Sequence, residues 1–176
     1  MTIDVPSLVE AAGGEVVGKI RLQKIVYLLD QIGLNSGFSY EYHHYGPYSA
    51  GLAEQVEDDV VFGRLEAEQR RRQSDGVPYV AYRSRPAGHG EAPDGLPIVD
   101  RLHQALAEMQ RRSATALELA ATMHWLAMIE KQPDWQAELV RRKGAKTQNG
   151  RDQQALELLA ALGLPPAVSP AAAEVA

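Results

Sequence analysis

Residues 21–52, RLQKIVYLLDQIGLNSGFSYEYHHYGPYSAGL, constrain this chain more than any other stretch. From Lys19 to Ile32, apolar residues recur near the helical period at Ile20, Leu22, Ile25, Val26, Leu28, Leu29 and Ile32. Lys19, Arg21, Gln23, Lys24, Asp30 and Gln31 fill the remaining arc, which predicts an amphipathic helix with a solvated polar face. Gly33 is the expected C-cap, with Leu34 as its hydrophobic partner. Residues 38–43 alternate aromatic and polar with period two, the pattern of a short strand. Gly46-Pro47 then bends the chain. Pro47 holds Gly46 extended and suits the first turn of a helix; Ser49 is a second candidate cap. That next helix is expected through about Val61 and carries the acids Glu54, Glu57, Asp58 and Asp59.

Elsewhere the signals are coarser. A short opening helix is expected over 6–12, ended by Gly13-Gly14. Residues 64–72 and 77–85 flank Ser74-Asp75-Gly76 and read as a hairpin, although the first arm, LEAEQRRR, also suits a helix. Residues 86–97 hold three prolines and three glycines and read as a loop. Helices follow over 98–111, from Ser113 or Thr115 to about Lys131, from Pro133-Asp134 to Lys143-Gly144, and over 151–162 up to Gly163. Residues 164–176, Pro- and Ala-rich, are expected to be disordered.

Bulk properties narrow the function classes. At 176 residues one domain is expected, burying roughly 70% of its unfolded surface. A net charge of −5 gives no overall attraction to nucleic acid or anionic lipid. The absence of cysteine removes disulfides and thiolate zinc sites and fits a reducing compartment. No basic n-region opens the chain, and no apolar run approaches the ~20 residues of a membrane helix, so the expectation is a cytoplasmic protein with no membrane partner.

Catalytic constellations are not legible. No HExxH pattern joins His43, His44, His89, His103 or His124, and adjacent strand residues such as His43 and His44 point to opposite faces. G-x-S-x-G and the phosphate loop are missing. Glu57, Asp58 and Asp59 read as a solvated face. No metal, cofactor or catalytic residue is expected. Five of the seven tyrosines, Tyr27, Tyr40, Tyr42, Tyr45 and Tyr48, crowd into 22 residues. That is more than a core needs, since each buried hydroxyl requires a partner. With Lys19, Arg21 and Lys24 beside them, Tyr45 and Tyr48 form a candidate partner-binding surface, because Tyr and Arg are enriched at interface hot spots. A second cluster, Arg141, Arg142, Lys143, Lys146 and Arg151, lies in eleven residues without an acid and is the candidate nucleic-acid contact. Arg70, Arg71 and Arg72 read as a solvated arm.

The order Leu22-Gln23-Lys24-Ile25-Val26-Tyr27-Leu28-Leu29, a spacer, then Tyr45-Gly46-Pro47-Tyr48-Ser49 and Leu52 resembles the Panacea (SocA-type) antitoxin domain. It looks closest to the YwgA-type branch and to the toxin-neutralising half of DarG-type antitoxins. Trp125, Pro133-Asp134-Trp135 and the last helix are similar to the family's C-terminal region, so the resemblance covers about residues 15–163. It implies a mostly helical domain with a small β element, and a non-enzymatic binding activity. The partner would be a cognate toxin or phage-defence effector, with presentation to a Clp-type protease as a variant. The combined expectation is an α+β single domain over 1–163, predominantly helical with a small β-hairpin or short antiparallel sheet. The alternative function is a DNA-binding regulator using the 141–151 patch.

Overall fold

The computed structural model describes residues 4–85 and 97–167. Among them, seven α-helices accompany a three-stranded antiparallel sheet and a separate two-stranded hairpin, an α+β fold in one domain. The order is α1 (Val5–Ala11), β1 (Glu15–Val17), α2 (Lys19–Gln31), β2 (Glu41–His43), β3 (Gly46–Tyr48), α3 (Ala50–Val61), β4 (Leu65–Arg71) and β5 (Pro78–Ser84). It continues with α4 (Pro97–Gln110), α5 (Ala114–His124), α6 (Trp135–Lys143) and α7 (Arg151–Leu162). A π-helical turn, Trp125–Ile129, prolongs α5, and a 3-10 turn, Gly144–Thr147, follows α6.

Helix α2 lies where its period predicts, yet its surroundings differ from the expectation. Every residue from Leu22 to Leu29 is buried, including Gln23 and Lys24. A helix buried all round sits at the centre of a fold, not on its surface. Helix α5 is the second central helix, buried from Ala116 to His124. Its alanines at 116, 120 and 121 carry no side chain beyond Cβ, so neighbouring elements approach closely. Helix α5 packs on α2, α6 and α7, and α4 closes against α2 and α7.

The sheet order is β1-β5-β4, with Val16 opposite Tyr82 and Leu65 opposite Ser84. Strand β1 has only three residues, too few to display a period, and was not anticipated. The ambiguous LEAEQRR segment is a strand. Pairing along β5 completes its backbone ladder, and tertiary pairing outweighs local preference. On that sheet face Arg70 donates to Glu15 at 2.7 and 3.1 Å and to Glu68 at 2.7 Å, while Arg72 meets Asp75 at 3.0 Å. The arginine run is therefore not simply a solvated arm.

Three further expectations are corrected. Pro47 does not open a helix; it is buried in β3, paired with Tyr42, and α3 begins after Ser49, whose hydroxyl accepts from the Leu52 amide. Asp59 is not solvated: it is buried and accepts from Arg64 at 2.6 Å and Gln55 at 3.2 Å. Leu164, placed by sequence in the tail, packs on the core. Residues 86–96 of the expected loop and 168–176 of the expected tail lie outside the described residues.

Candidate functional site

The two short motifs that carry the resemblance are joined in space. The Gln23 amide donates to the Ser49 carbonyl and accepts from the Ser49 amide, both at 2.9 Å. Lys24 Nζ donates to the Pro47 carbonyl, and Lys143 Nζ donates to the His44 carbonyl at 2.9 Å. Among the described residues the β2–β3 hairpin pairs with no other strand. Buried backbone groups need partners, and these side chains supply them. Gly46 completes the fit. Its φ is +87°, and a Cβ there would lie 2.7 Å from Thr122 Oγ1 on α5. Gln23→Leu leaves the buried Ser49 amide without an acceptor, while the Ser49 carbonyl keeps the Ala53 amide at 3.2 Å. The change is expected to cost about 1–3 kcal/mol, read as a lower urea midpoint.

Behind the hairpin stands a cluster of ion pairs. Buried Glu118 accepts from Lys143 at 2.8 Å and from Lys146 at 2.9 Å through each oxygen. Burial pushes its carboxyl up, but the bonds from Lys143 and Lys146 outweigh that and hold it below the usual range. Arg142 is bidentate on Glu130 at 2.8 and 2.7 Å and also bonds Glu138, and Arg141 grips Glu138. Arg151 reaches the Ala145 carbonyl at 3.5 Å. The cluster, with no acid inside its eleven residues, thus receives three carboxylates: Glu138 from one turn earlier on α6, and Glu118 and Glu130 from farther along the chain. The candidate nucleic-acid cluster is therefore largely ion-paired, although Arg141 and Lys146 stay 71% and 39% exposed. The same cations cover the hairpin's rings: Arg142 stacks 4.4 Å from the Tyr42 centroid and Lys146 lies 4.9 Å from that of Tyr45.

The crowded tyrosines divide into two sets. Tyr27 is buried, its hydroxyl 2.8 Å from His124 Nδ1, and Tyr40 donates to Asp30 at 2.6 Å. Tyr42 turns its hydroxyl inward, where no described group bonds it. Tyr45 is 45% exposed and Tyr48 half-buried, with His43 stacked on Tyr48 at 4.7 Å. The excess over core needs is therefore two rings, not five.

Those two rings border a cleft of about 390 Å³ between the hairpin, α2 and α3. Its apolar lining includes Ile20, Leu22, Leu52, Ala53 and Val56, and Lys19, His43, His44, Glu57 and Tyr82 are among the other residues that border it. Of the predicted partner-binding residues, Lys19, Lys24, Tyr45 and Tyr48 meet here. Two are corrected as surface cations. Lys24 is buried and bound to Pro47, and burial lowers its ammonium to about 8 against the opposing charge of Glu118. Arg21 donates to the Met109 and Arg112 carbonyls at 3.4 and 2.8 Å, bracing the end of α4. Glu118 and His124 were missed by sequence reading. A lone acid inside ATALELAATM was the available signal for Glu118. Among the described residues, no three of His, Asp and Glu gather as metal ligands.

His124 gives the protein an acid-side weakness. Burial lowers its imidazole to about 4, below its unfolded value near 6.5. Between these values the unfolded chain binds the extra proton, so stability present above pH 6.5 is lost as pH falls toward 4. Thermal unfolding across that window should show a loss of roughly 2 kcal/mol, and His124→Gln, which cannot titrate, should flatten it.

Comparison with known proteins returns distant relatives. Over 126 residues the chain is 27% identical to the Bacillus subtilis uncharacterized protein YwgA, covering 66% of this chain and 69% of that one. Over 127 residues it is 30% identical to a DNA ADP-ribosyl glycohydrolase of Thermus aquaticus, covering 69% of this chain. The match takes in 34% of that protein, about a third of its length. No family model matches. Among the described residues no helix is long and apolar enough to cross a membrane. The chain is thus a distant homologue of a YwgA-type protein and of one part of a DNA ADP-ribosyl glycohydrolase.

Proposed function

We propose that this chain is a non-enzymatic, protein-binding domain of the Panacea antitoxin type, which neutralises a cognate toxin or phage-defence effector by covering it. The observation that carries the reading is the cleft. It opens beside a hairpin whose outward rings, Tyr45 and Tyr48, are braced from behind by Gln23, Lys24 and Lys143. A preorganised aromatic edge beside an apolar hollow is the arrangement of an interface hot spot. The charged groups behind the hairpin are engaged with one another, which suits a rigid support. The distant similarity to part of a larger DNA ADP-ribosyl glycohydrolase is compatible with a module that serves a separate activity.

The test is co-expression with the product of the neighbouring gene. A product that arrests growth alone should be tolerated beside this chain, and purified together the two should form a complex. Tyr45→Ala with Tyr48→Ala should weaken that complex by about thirty-fold or more while thermal stability changes little. A neighbour that is harmless alone and unbound would defeat the reading, and unfolding of the double variant would place both rings in the core. For the DNA-binding alternative, Arg141 and Arg142 are already held by Glu138 and Glu130. We therefore expect no shift of duplex DNA at physiological salt, and a salt-dependent shift lost on reversing both arginines would reverse that judgement.

A further inference from the structure

The cleft has charges at its mouth that the fold does not use. Lys24, Lys143 and Lys146 are each committed to an acceptor. Lys19 on α2 and Glu57 on α3 line the same cleft and are exposed, and among the described residues neither has a hydrogen-bond or ion-pair partner. Nor do they form an ion pair with each other. The floor is formed by Ile20, Leu22, Leu52, Ala53, Val56 and the Tyr82 ring; of the polar groups beside it, Gln23 and Lys24 are committed to Ser49 and Pro47, and His43 and His44 stand on the hairpin side. At about 390 Å³ the hollow lies near the small end of the ~300–1,000 Å³ range of ligand pockets. It is sized for one large side chain.

We propose that this cleft is the anchor pocket for a partner protein. It takes one large apolar side chain from a partner segment that carries an acidic residue toward Lys19 and a basic residue toward Glu57. The proposal rests on the protein-binding reading above and specifies what its partner must present. Two unspent, opposite charges around an apolar floor select the order of charges along the segment, while the floor supplies the affinity.

The probe is a fluorescein-labelled peptide in a Gly/Ser frame, with a central Trp between one Asp and one Lys. It is made in both charge orders, with an Ala-centred control. Fluorescence polarisation gives affinity, and amide shifts of the full chain give the location. One charge order should bind more tightly, moving the amides of Lys19, Ala53 and Glu57, with the Ala control at least about ten-fold weaker. Ala53→Trp, which fills the hollow from half-buried α3, should weaken binding about ten-fold or more. Lys19→Glu combined with Glu57→Lys, both on the surface, should invert the preferred charge order. Equal binding by the Ala control, no binding at millimolar peptide, shifts elsewhere, or an unchanged order in the double reversal would each overturn the proposal. So would a concentration-dependent dimer abolished by Ala53→Trp, which would seat a second copy of this chain there. The two readings fail separately. A peptide seated in the cleft beside a neighbouring gene product that is neither bound nor toxic defeats the antitoxin reading alone. A neutralised toxin indifferent to Ala53→Trp defeats the anchor pocket alone.

Discussion

Glu118→Ala is expected to remove about 3–5 kcal/mol of folding stability. The carboxylate accepts bonds from Lys143 and Lys146, and the Lys143 and Glu118 side chains are 2% and 5% exposed. Deleting the acid leaves the Lys143 ammonium buried, with the His44 carbonyl as its remaining acceptor. Lys146, 39% exposed, can swing into water and should matter less. The charge left behind causes the damage, so a second change that removes it should restore stability. Glu118→Leu with Lys143→Met is expected to recover at least half of the loss in guanidinium unfolding. Failure to recover would mean that the lost bonds themselves, not the orphaned cation, set the cost. If Glu118→Ala does not fold, Glu118→Gln, which keeps the shape, supplies the comparison. The pH sign follows from the lowered carboxyl. Its contribution is present above the unfolded value of about 4.5 and is lost as pH falls through the folded value. This adds to the His124 loss at slightly higher pH.

Gly46→Ala is expected to cost about 2–4 kcal/mol through two separable causes. At φ +87° any L side chain is strained, by roughly 1–3 kcal/mol. The new Cβ would also stand 2.7 Å from Thr122 Oγ1, and overpacking of that kind costs about 1–3 kcal/mol. Thr122 cannot simply turn away, because its hydroxyl donates to the Glu118 carbonyl at 2.8 Å. Adding Thr122→Ala removes the obstacle but not the strain. The double variant should therefore regain part of the stability, and its hairpin resonances should return toward those of wild type. A double variant no better than Gly46→Ala would show that backbone conformation alone requires glycine.

Legibility in the sequence tracked the range of the interactions. Helix α2 was readable because its period is written in consecutive residues. The Ser113, Asp134 and Gly163 boundaries were readable because caps act over three or four positions. The β4–β5 hairpin was legible through its turn, while the strand character of β4 depended on β5 beside it. The candidate site was half legible. Tyr45, Tyr48 and Lys19 were singled out and do border one cleft, but which face of the adjacent α3 turns into it, and that Tyr82 from distant β5 joins it, depended on packing.

The sequence alone singled out Gln23-Lys24 and Tyr45-Gly46-Pro47-Tyr48 as motifs, through a family resemblance, and showed that no cysteine chemistry is open to this chain. Only the tertiary structure decided what those motifs do. Lys24 and Lys143 read as solvated cations because a charged side chain in isolation prefers water. They are buried because carbonyls and a carboxylate from residues 23 to 99 positions away meet them. A local pattern records the cost of burying a charge but not the partner that offsets it, and that partner exists only once the chain is folded.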